Sequence, residues 1–204
     1  MDSRLAQPFT CIISGPTGSG KSVFTLKLIE HAQEIISPPT ERILFCYGEY
    51  KQIFDNYLEV EFHDGLPEVS SFYGKKRTLL VMDDLMTSTD DRVVDIFTKI
   101  SLHRKLSVVY LTQNLFYKNK QTRTFSFNSH YIVLFKKARD ATQMANLARQ
   151  MYSGKSAFMI EAFKNATSAP NGYLLIDLTP ETDDKLRLKT DIFPGNVHYV
   201  YLRK

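Results

Sequence analysis

The sequence predicts an α/β fold in which a mostly parallel central sheet is flanked by helices. Short apolar runs rich in β-branched and aromatic residues alternate with segments of helical period, as in chains built from strand-helix-strand units. The runs at 78–82, 107–112 and 131–135 are apolar almost throughout, which is typical of strands buried on both faces. With 204 residues, 43% of them hydrophobic, the chain can bury a substantial core. We therefore expect a single domain over residues 1–204.

The predicted helices carry recognisable signals in their sequences. An amphipathic pattern predicts the first helix at 23–36. A later helix starts at Ser88 or Thr89, which precede two acidic residues, and ends near His103. Apolar residues at helical spacing and a Gly-containing turn predict further elements, namely helices at 140–151 and 156–166 and a turn at 169–172. The predicted strands are 9–14, 43–47, 60–63, 78–82, 107–112, 131–135, 173–178 and 197–202.

The two cysteines, Cys11 and Cys46, lie inside apolar runs, where a thiol is most often a small buried hydrophobe in a reducing compartment. No CxxC or HExxH spacing occurs, so we expect no structural metal. No run approaches the roughly 18 apolar residues of a membrane span, and the first ten residues do not resemble a signal peptide. We therefore expect a soluble protein inside a cell or particle, with no membrane partner.

The net charge of +4 conceals a strong asymmetry between the two halves of the chain. Residues 1–102 carry 10 basic against 15 acidic side chains, whereas residues 103–204 carry 16 against 7. A basic half suits a polyanionic partner or head-to-tail contact between copies, but charged runs are also common on solvated faces. The charge pattern alone leaves these alternatives open.

Residues 15–22 match the Walker A pattern G-x-x-x-x-G-K-[ST] in full. The match stands between a predicted strand and an amphipathic helix, which is the context that this motif requires. Its glycines let backbone N–H groups face phosphates at the positive end of the helix. We expect Lys21 to contact the β and γ phosphates and Ser22 to ligate Mg²⁺. The predicted phosphate-binding residues are Gly15, Pro16, Thr17, Gly18, Ser19, Gly20, Lys21 and Ser22.

Two carboxylates, Asp83 and Asp84, follow the apolar strand at 78–82. A Walker A loop needs an acidic partner on a nearby strand, so Asp83 is predicted to bind magnesium. Asp84 stands where the additional-strand, RecA-like type of P-loop NTPase usually places a Glu that deprotonates the attacking water. Asp is one methylene shorter, which leaves the identity of the general base open. A capping or turn role is the alternative for Asp84.

The strand at 107–112 ends in Gln113, at the edge of the sheet where ligands of such folds bind. We predict that Gln113 senses the γ-phosphate; the alternative is a polar strand end that hydrogen-bonds a loop. The chain contains no NKxD segment, which guanine-binding GTPases use to read the base. The predicted ligands are therefore ATP and Mg²⁺, and the sequence does not identify the residues that recognise the base.

Together these motifs resemble the viral and transposon genome-packaging ATPases of the FtsK/HerA superfamily. The chain is most similar to those of Polinton/Maverick and adintovirus-like elements, with poxvirus-type packaging ATPases as distant relatives. The resemblance runs nearly end to end, in the blocks PFTCIISGPTGSGKS, LLVMDDLM, HRKLSVVYLTQNLF, SFNSHYIVLFKKARD, LARQMY, GYLLIDL and IFPG. It implies a homo-oligomeric ring that hydrolyses ATP and moves double-stranded DNA into a capsid. It further implies capsid or portal-vertex partners and a location at the viral assembly site or in the virion.

The resemblance also implies an arginine that acts on the neighbouring subunit. In this superfamily an arginine just before the sensor strand projects into the adjacent site, and Arg104 holds that position. A planar, permanently charged guanidinium suits the charge on the transferring phosphoryl group. Capping of the preceding helix is the alternative for Arg104.

Two basic clusters are candidate contacts to DNA or to another subunit. We interpret the first as a second arginine finger, centred on Arg123, or as a basic loop that contacts phosphates. The second cluster follows a strand and faces either a pore or water. The clusters are Lys118, Lys120 and Arg123, and Lys136, Lys137 and Arg139.

Two other functions stay open from the sequence. One is a small P-loop kinase that phosphorylates a nucleotide or metabolite, for which an arginine-rich lid is expected. The other is a nucleotide-binding scaffold that assembles capsids without turnover, for which Asp84 and Gln113 are dispensable.

Overall fold

The computed structural model describes residues 4–72, 76–83, 85, 91–100, 105–115, 120–137 and 141–203. Within these ranges two short strands, β1 (Leu5–Ala6) and β3 (Ile36–Ser37), pair with each other in parallel. Nine further strands of the described chain form the central sheet: β2 (Thr10–Ser14), β4 (Arg42–Tyr47), β5 (Val60–Asp64), β6 (Thr78–Asp83), β7 (Leu106–Thr112), β8 (Tyr131–Phe135), β9 (Tyr173–Asp177), β10 (Leu188–Thr190) and β11 (Tyr199–Val200).

The central sheet has the strand order β11-β10-β9-β8-β2-β7-β6-β4-β5. The strands from β8 to β5 are parallel, and β9, β10 and β11 add to them in antiparallel pairs. Strand β7 separates β2, which precedes the Walker A loop, from β6, which ends in Asp83. This insertion defines the additional-strand arrangement that the sequence predicts. The register pairs Ser14 with Thr112 and Asp83 with Leu111, so the carboxyl ends of β2, β7 and β6 lie at one edge.

All of the predicted strands are present, with ends that differ by one or two residues for most of them. The largest difference concerns the strand predicted at 197–202, of which the structure forms Tyr199–Val200. Strand β10, which the sequence analysis missed, is three residues long and pairs with both β9 and β11. A strand this short presents too little alternation for its period to be recognised.

The first predicted helix, at 23–36, is two helices in the structure, α1 (Lys21–Glu30) and α2 (Ala32–Ile35). His31 divides them because its backbone leaves the helical region, at φ −101° and ψ 14°. Its N–H still donates to Lys27 O, and its ring lies 2.9 Å from the carboxylate of Glu34. The apolar pattern continues across His31, so periodicity alone does not reveal this break.

The other helices lie on the later part of the chain. Helix α3 (Asp91–Asp95) continues as a π-helical segment, Ile96–Ile100. The helix start predicted at Ser88 or Thr89 and the end predicted near His103 lie outside the described residues. Helices α5 (Ala141–Met151) and α6 (Ser156–Ala166) agree with their predictions. The predicted turn lies between α6 and β9, and in it Gly172 N donates to Ala169 O. None of the helices found in the described ranges combines the length and apolar character needed to cross a membrane.

Helix α4 (Lys120–Phe127) occupies a segment that the sequence analysis interpreted in part as a basic loop, and that interpretation was wrong for these residues. The segment is mostly polar, so its helical pattern is weak. It is anchored by Phe125, which is 1% exposed and lies 4.9 Å from Phe97 and 5.0 Å from Tyr110 between ring centroids. Packing against distant aromatic residues therefore fixes this helix.

The sheet separates two apolar clusters. One side contains Ile12, Leu80 and Tyr110 under the helices of the later chain, and the other contains Ile13 together with Phe24 of α1. Cys46 belongs to the first cluster and Cys11 to the second, and both are buried free thiols. Burial raises the pKa of the Cys46 thiol to about 12, and it also raises the pKa of Cys11. The prediction that both cysteines are small buried hydrophobes is confirmed.

Candidate active site

The Walker A loop connects the end of β2 to the start of α1. Gly18 and Gly20 take positive φ angles of 75° and 106°, which L side chains rarely adopt. Gly20 is the N-cap of α1, and neither a side-chain cap nor an acidic residue occupies the first turn. The first N–H groups of the helix are thus left for an anion, which the helix dipole also favours.

Close packing explains why two positions of the loop require glycine. A Cβ on Gly15 would lie 2.7 Å from Phe135 Cβ and 2.7 Å from Ser19 Oγ. A Cβ on Gly20 would lie 2.8 Å from Oδ1 and 2.9 Å from Cβ of Asn171. The loop is therefore held between β8 on one side and the turn before β9 on the other, so its shape depends on glycine at both positions.

Two polar groups of the loop fit a bound phosphate. The Nζ of Lys21 donates to Gly15 O at 2.6 Å and to Pro16 O at 2.9 Å, which holds the ammonium over the loop. Ser19 Oγ is buried, and none of the described residues offers it a hydrogen-bond partner. Because a buried polar atom without a partner is costly, a phosphate oxygen at this place would stabilise the loop. The residues present fit a polyphosphate ligand.

A cavity of about 420 Å³ lies between the loop and the carboxyl ends of β6 and β7. Seven of the predicted site residues line it: Thr17, Gly18, Gly20, Lys21, Ser22, Asp83 and Gln113. Gly15, Pro16 and Ser19 belong to the loop but do not line this cavity. Ser22 and Asp83 supply a hydroxyl and a carboxylate oxygen, and Mg²⁺ prefers such oxygen ligands together with phosphate oxygens. The structure thus brings the predicted lysine, magnesium ligands and sensor together.

Asp83 is 14% exposed in its side chain and has a partner that the sequence analysis missed. The Nζ of Lys51 lies 2.7 Å from Asp83 Oδ2. Lys51 and Glu49 both line the cavity, and both follow β4, which pairs with β6 along its whole length. Asn171 also lines this cavity and was not predicted as a site residue. Charged residues directly after a parallel strand are a signal that could have identified Glu49 and Lys51.

Gln113 follows β7 and is exposed at the mouth of the cavity. Strand β7 is tied to the Walker A loop because Gly15 N donates to Thr112 O at 3.2 Å. Among the described residues the Gln113 side chain has no hydrogen bond to a loop, which was the alternative role. Its position beside Lys21 and Ser22 is compatible with a γ-phosphate sensor.

Several predicted residues are not placed in the site. Asp84, Arg104, Lys118 and Arg139 lie outside the described residues, and for Lys120 and Arg123 the structure describes the backbone of α4 but not the side chains. Lys136 and Lys137 follow β8 at the same edge as the Walker A loop. They line another, mainly apolar cavity of about 490 Å³, which Gly15 and Gln113 also border.

A further cavity of about 420 Å³ continues from the first one around the start of α1. The two cavities share Gly20, Val23 and Asn171. Tyr199 and Tyr201 also line this cavity, and the Tyr201 hydroxyl donates to Asn165 Oδ1 at 2.7 Å. Tyr199 is 54% exposed, so an aromatic face is available to a ligand.

Solved structures of two viral packaging enzymes share this fold. The chain is similar to B204, the DNA-packaging ATPase from Sulfolobus turreted icosahedral virus, with a TM-score of 0.56 and 11% identity over 86% of this chain and 95% of that chain. It is also similar to the genome-packaging NTPase B204 from Sulfolobus turreted icosahedral virus 2 in complex with ATP-gammaS, with a TM-score of 0.53 and 13% identity over 86% and 95%. No protein-family model and no curated protein matches the chain. The similarity to the two B204 structures establishes the P-loop NTPase fold.

Proposed function

We propose that this protein is an ATP-hydrolysing translocase that packages double-stranded viral or transposon DNA into a capsid. The observation that carries the proposal is the convergence of Lys21, Ser22, Asp83 and Gln113 on one cavity. The shared fold with two viral packaging enzymes, over 86% of the chain, supports the choice of packaging among ATP-driven functions. It supports a viral packaging ATPase and does not bear on the FtsK/HerA, Polinton/Maverick or adintovirus placement.

The chemistry follows from the position of each group. Lys21 exchanges the carbonyls of Gly15 and Pro16 for oxygens of the β and γ phosphates, because an anion is a stronger acceptor for its ammonium. Ser22 and Asp83 would hold Mg²⁺, which neutralises charge on the phosphates when bound. Gln113 donates its amide to the γ-phosphate and so reports whether that phosphate is present.

The nucleoside end of ATP lies in the cavity that the phosphate site shares at Gly20, Val23 and Asn171. Its volume of about 420 Å³ is within the range of ligand pockets. Val23 is 47% exposed and offers an apolar surface, and Tyr199 offers an aromatic face on which a base can stack. This arrangement would admit any purine and leaves base selection to hydrogen bonds at the rim.

DNA and neighbouring subunits complete the proposed motor. The basic second half of the chain suits sequence-blind contact with DNA phosphates, and the acidic first half suits contact with the next subunit of a ring. Arg104 would reach the neighbour's γ-phosphate, while Lys118, Lys120, Arg123, Lys136, Lys137 and Arg139 are candidates for DNA or interface contacts. Capsid or portal-vertex proteins would dock the ring on the particle.

The proposal is tested by the ATPase rate of the purified protein with and without linear double-stranded DNA, together with its mass by light scattering. We expect DNA to raise the rate and the mass to correspond to a ring. DNA-independent turnover by a monomer would favour a small-molecule kinase, and nucleotide binding without turnover would favour a scaffold.

A further inference from the structure

The segment after β4 is fixed to Asp83 at two points. The register pairs Tyr47 with Asp83, and Gly48 N donates to Asp83 O at 3.2 Å. Three residues later, the Nζ of Lys51 contacts Asp83 Oδ2 at 2.7 Å. Glu49 lies between these two attachments. Its backbone is therefore held beside the residue predicted to bind magnesium.

Glu49 contributes to the wall of the cavity that also contains Lys21, Ser22 and Gln113. In the described part of the chain its carboxylate forms no hydrogen bond and no ion pair, although Lys51 is two residues away. Lys51 instead neutralises Asp83, and Oδ1 of Asp83 is left for a metal or a metal-bound water.

An unpaired carboxylate at this position weakens the binding of a polyphosphate, because like charges repel. It therefore does not serve binding. A carboxylate that shares a cavity with a phosphate-binding lysine can, however, accept a proton from a water molecule and orient that water for attack. Asp83 accepts a hydrogen bond from Lys51. Lys21 donates to the carbonyls of Gly15 and Pro16. Glu49 is thus the described acid of this cavity that is available as a base.

We propose that Glu49 is the general base of ATP hydrolysis, an inference that rests on the proposed function. Water attacks the γ-phosphorus, a P–O bond forms, and the bond from the γ-phosphorus to the bridging oxygen breaks with its electron pair leaving on ADP. The proton of the attacking water passes to the Glu49 carboxylate and then to solvent as phosphate departs. Lys51 is a positioning residue that holds the Glu49 segment on Asp83.

The test compares Glu49→Gln with two variants of the full chain, Glu59→Gln and Asp84→Asn. Glu59 is an exposed carboxylate ahead of β5 that does not line the cavity, so it controls for the loss of one negative charge. For Glu49→Gln we expect kcat to fall about 10²–10⁴-fold, the range for loss of a general base. The Kd for a non-hydrolysable ATP analogue with magnesium is expected to stay equal or to become tighter, because a repulsive charge is removed. Glu59→Gln is expected to match the unaltered chain in both measurements.

Two outcomes overturn the assignment. If Glu49→Gln keeps kcat within about threefold while Asp84→Asn loses turnover, Asp84 is the base. If Glu49→Gln loses magnesium-dependent affinity as much as kcat, Glu49 serves the metal and not the water. A failure of the proposed function would look different, because the unaltered chain would then bind nucleotide without hydrolysing it, with or without DNA.

Discussion

Asn171 packs against Gly20 so closely that a Cβ at Gly20 would lie 2.8 Å from Asn171 Oδ1. The contact joins the Walker A loop to the turn before β9, and both residues border the two cavities proposed to hold the phosphates and the nucleoside. The position of the loop therefore depends on a turn about 150 residues away in sequence.

This contact predicts that Gly20→Ala removes nucleotide binding by two separable effects. A side chain at φ 106° is strained by about 1–3 kcal/mol, and the added methyl also collides with Asn171. Gly18→Ala is the control, because Gly18 has a positive φ of 75° but no heavy atom within 4 Å of an added Cβ. We expect calorimetry to show a greater loss of ATP-analogue affinity for Gly20→Ala than for Gly18→Ala.

The double variant Gly20→Ala/Asn171→Gly distinguishes the collision from the strain. Glycine at 171 removes the colliding side chain and accepts the φ of 58° found there. Part of the lost affinity should return in the double variant. Strictly additive losses would show that the contact does not govern the shape of the loop.

We predict that Lys21→Ala abolishes ATPase activity and weakens nucleotide binding. The variant removes the cation held over the loop by Gly15 O and Pro16 O, so charge on the β and γ phosphates loses its counter-ion. Lys155→Ala is a matched control, since Lys155 is an exposed lysine ahead of α6. Unchanged turnover in Lys21→Ala, measured by phosphate release, would refute the assignment of the site.

Tyr199→Ala is predicted to weaken binding of ATP but not of inorganic tripolyphosphate. The tyrosine lines the proposed nucleoside cavity and does not line the phosphate cavity. Loss of one stacking contact is expected to cost about 1–3 kcal/mol of binding free energy. Val197→Ala alters an exposed residue of the same segment that lines neither cavity, so it is the control. Equal weakening of both ligands would place the base elsewhere.

The local Walker A pattern and the polar residues that directly follow two buried strands, Asp83 and Gln113, were predicted, whereas Glu49, Lys51 and Asn171 were missed. Residues 15–22 form a local pattern whose geometry follows from its glycines. Glu49 and Lys51 join the site because β4 pairs with β6, an adjacency that no local pattern encodes. Asn171 was assigned to a turn, but its contact with Gly20 depends on where β9 lies. In the same way, α4 escaped prediction because its anchor, Phe125, packs on residues distant in sequence.

The stability of the far end of the sheet is predicted to depend on Asp177. This carboxylate is 3% exposed, lies 2.8 Å from Lys189 Nζ, and accepts hydrogen bonds from the hydroxyls of Thr179 and Thr182. Burial alone would raise the pKa of Asp177, but the bonds from Lys189 and Thr179 outweigh it and lower that pKa. Removing one partner of a buried ion pair costs about 3–5 kcal/mol, so we expect a loss of this order in Asp177→Asn.

The pH dependence follows from the sign of that shift. A lowered folded pKa means that the stabilisation is fully present above the ordinary pKa of an aspartate, about 3.9, and is lost as the pH falls through the folded value. Urea unfolding should therefore show a difference between the unaltered chain and Asp177→Asn that is constant from pH 7 to about 5 and shrinks below about 4. Asp184→Asn alters an exposed partner of Arg187 and is expected to change stability by about 0–1 kcal/mol. A difference that persists undiminished at low pH would show that the ion pair is not its source.

If the protein works as a ring, two inactive variants should restore each other's turnover, which a single-subunit enzyme does not allow. If Arg104 acts on the neighbour's nucleotide, Arg104→Ala should bind ATP normally and lose turnover, because the lost interaction is made in the transition state. Glu49→Gln is expected to be inactive for a different reason, because it removes the proposed base of its own site. A ring that mixes the two variants contains interfaces in which an intact Arg104 faces an intact Glu49, so partial activity should return. Phosphate release measured across mixing ratios should therefore rise to a maximum near equal proportions, whereas a flat baseline at every ratio would mean that each subunit's site is complete by itself.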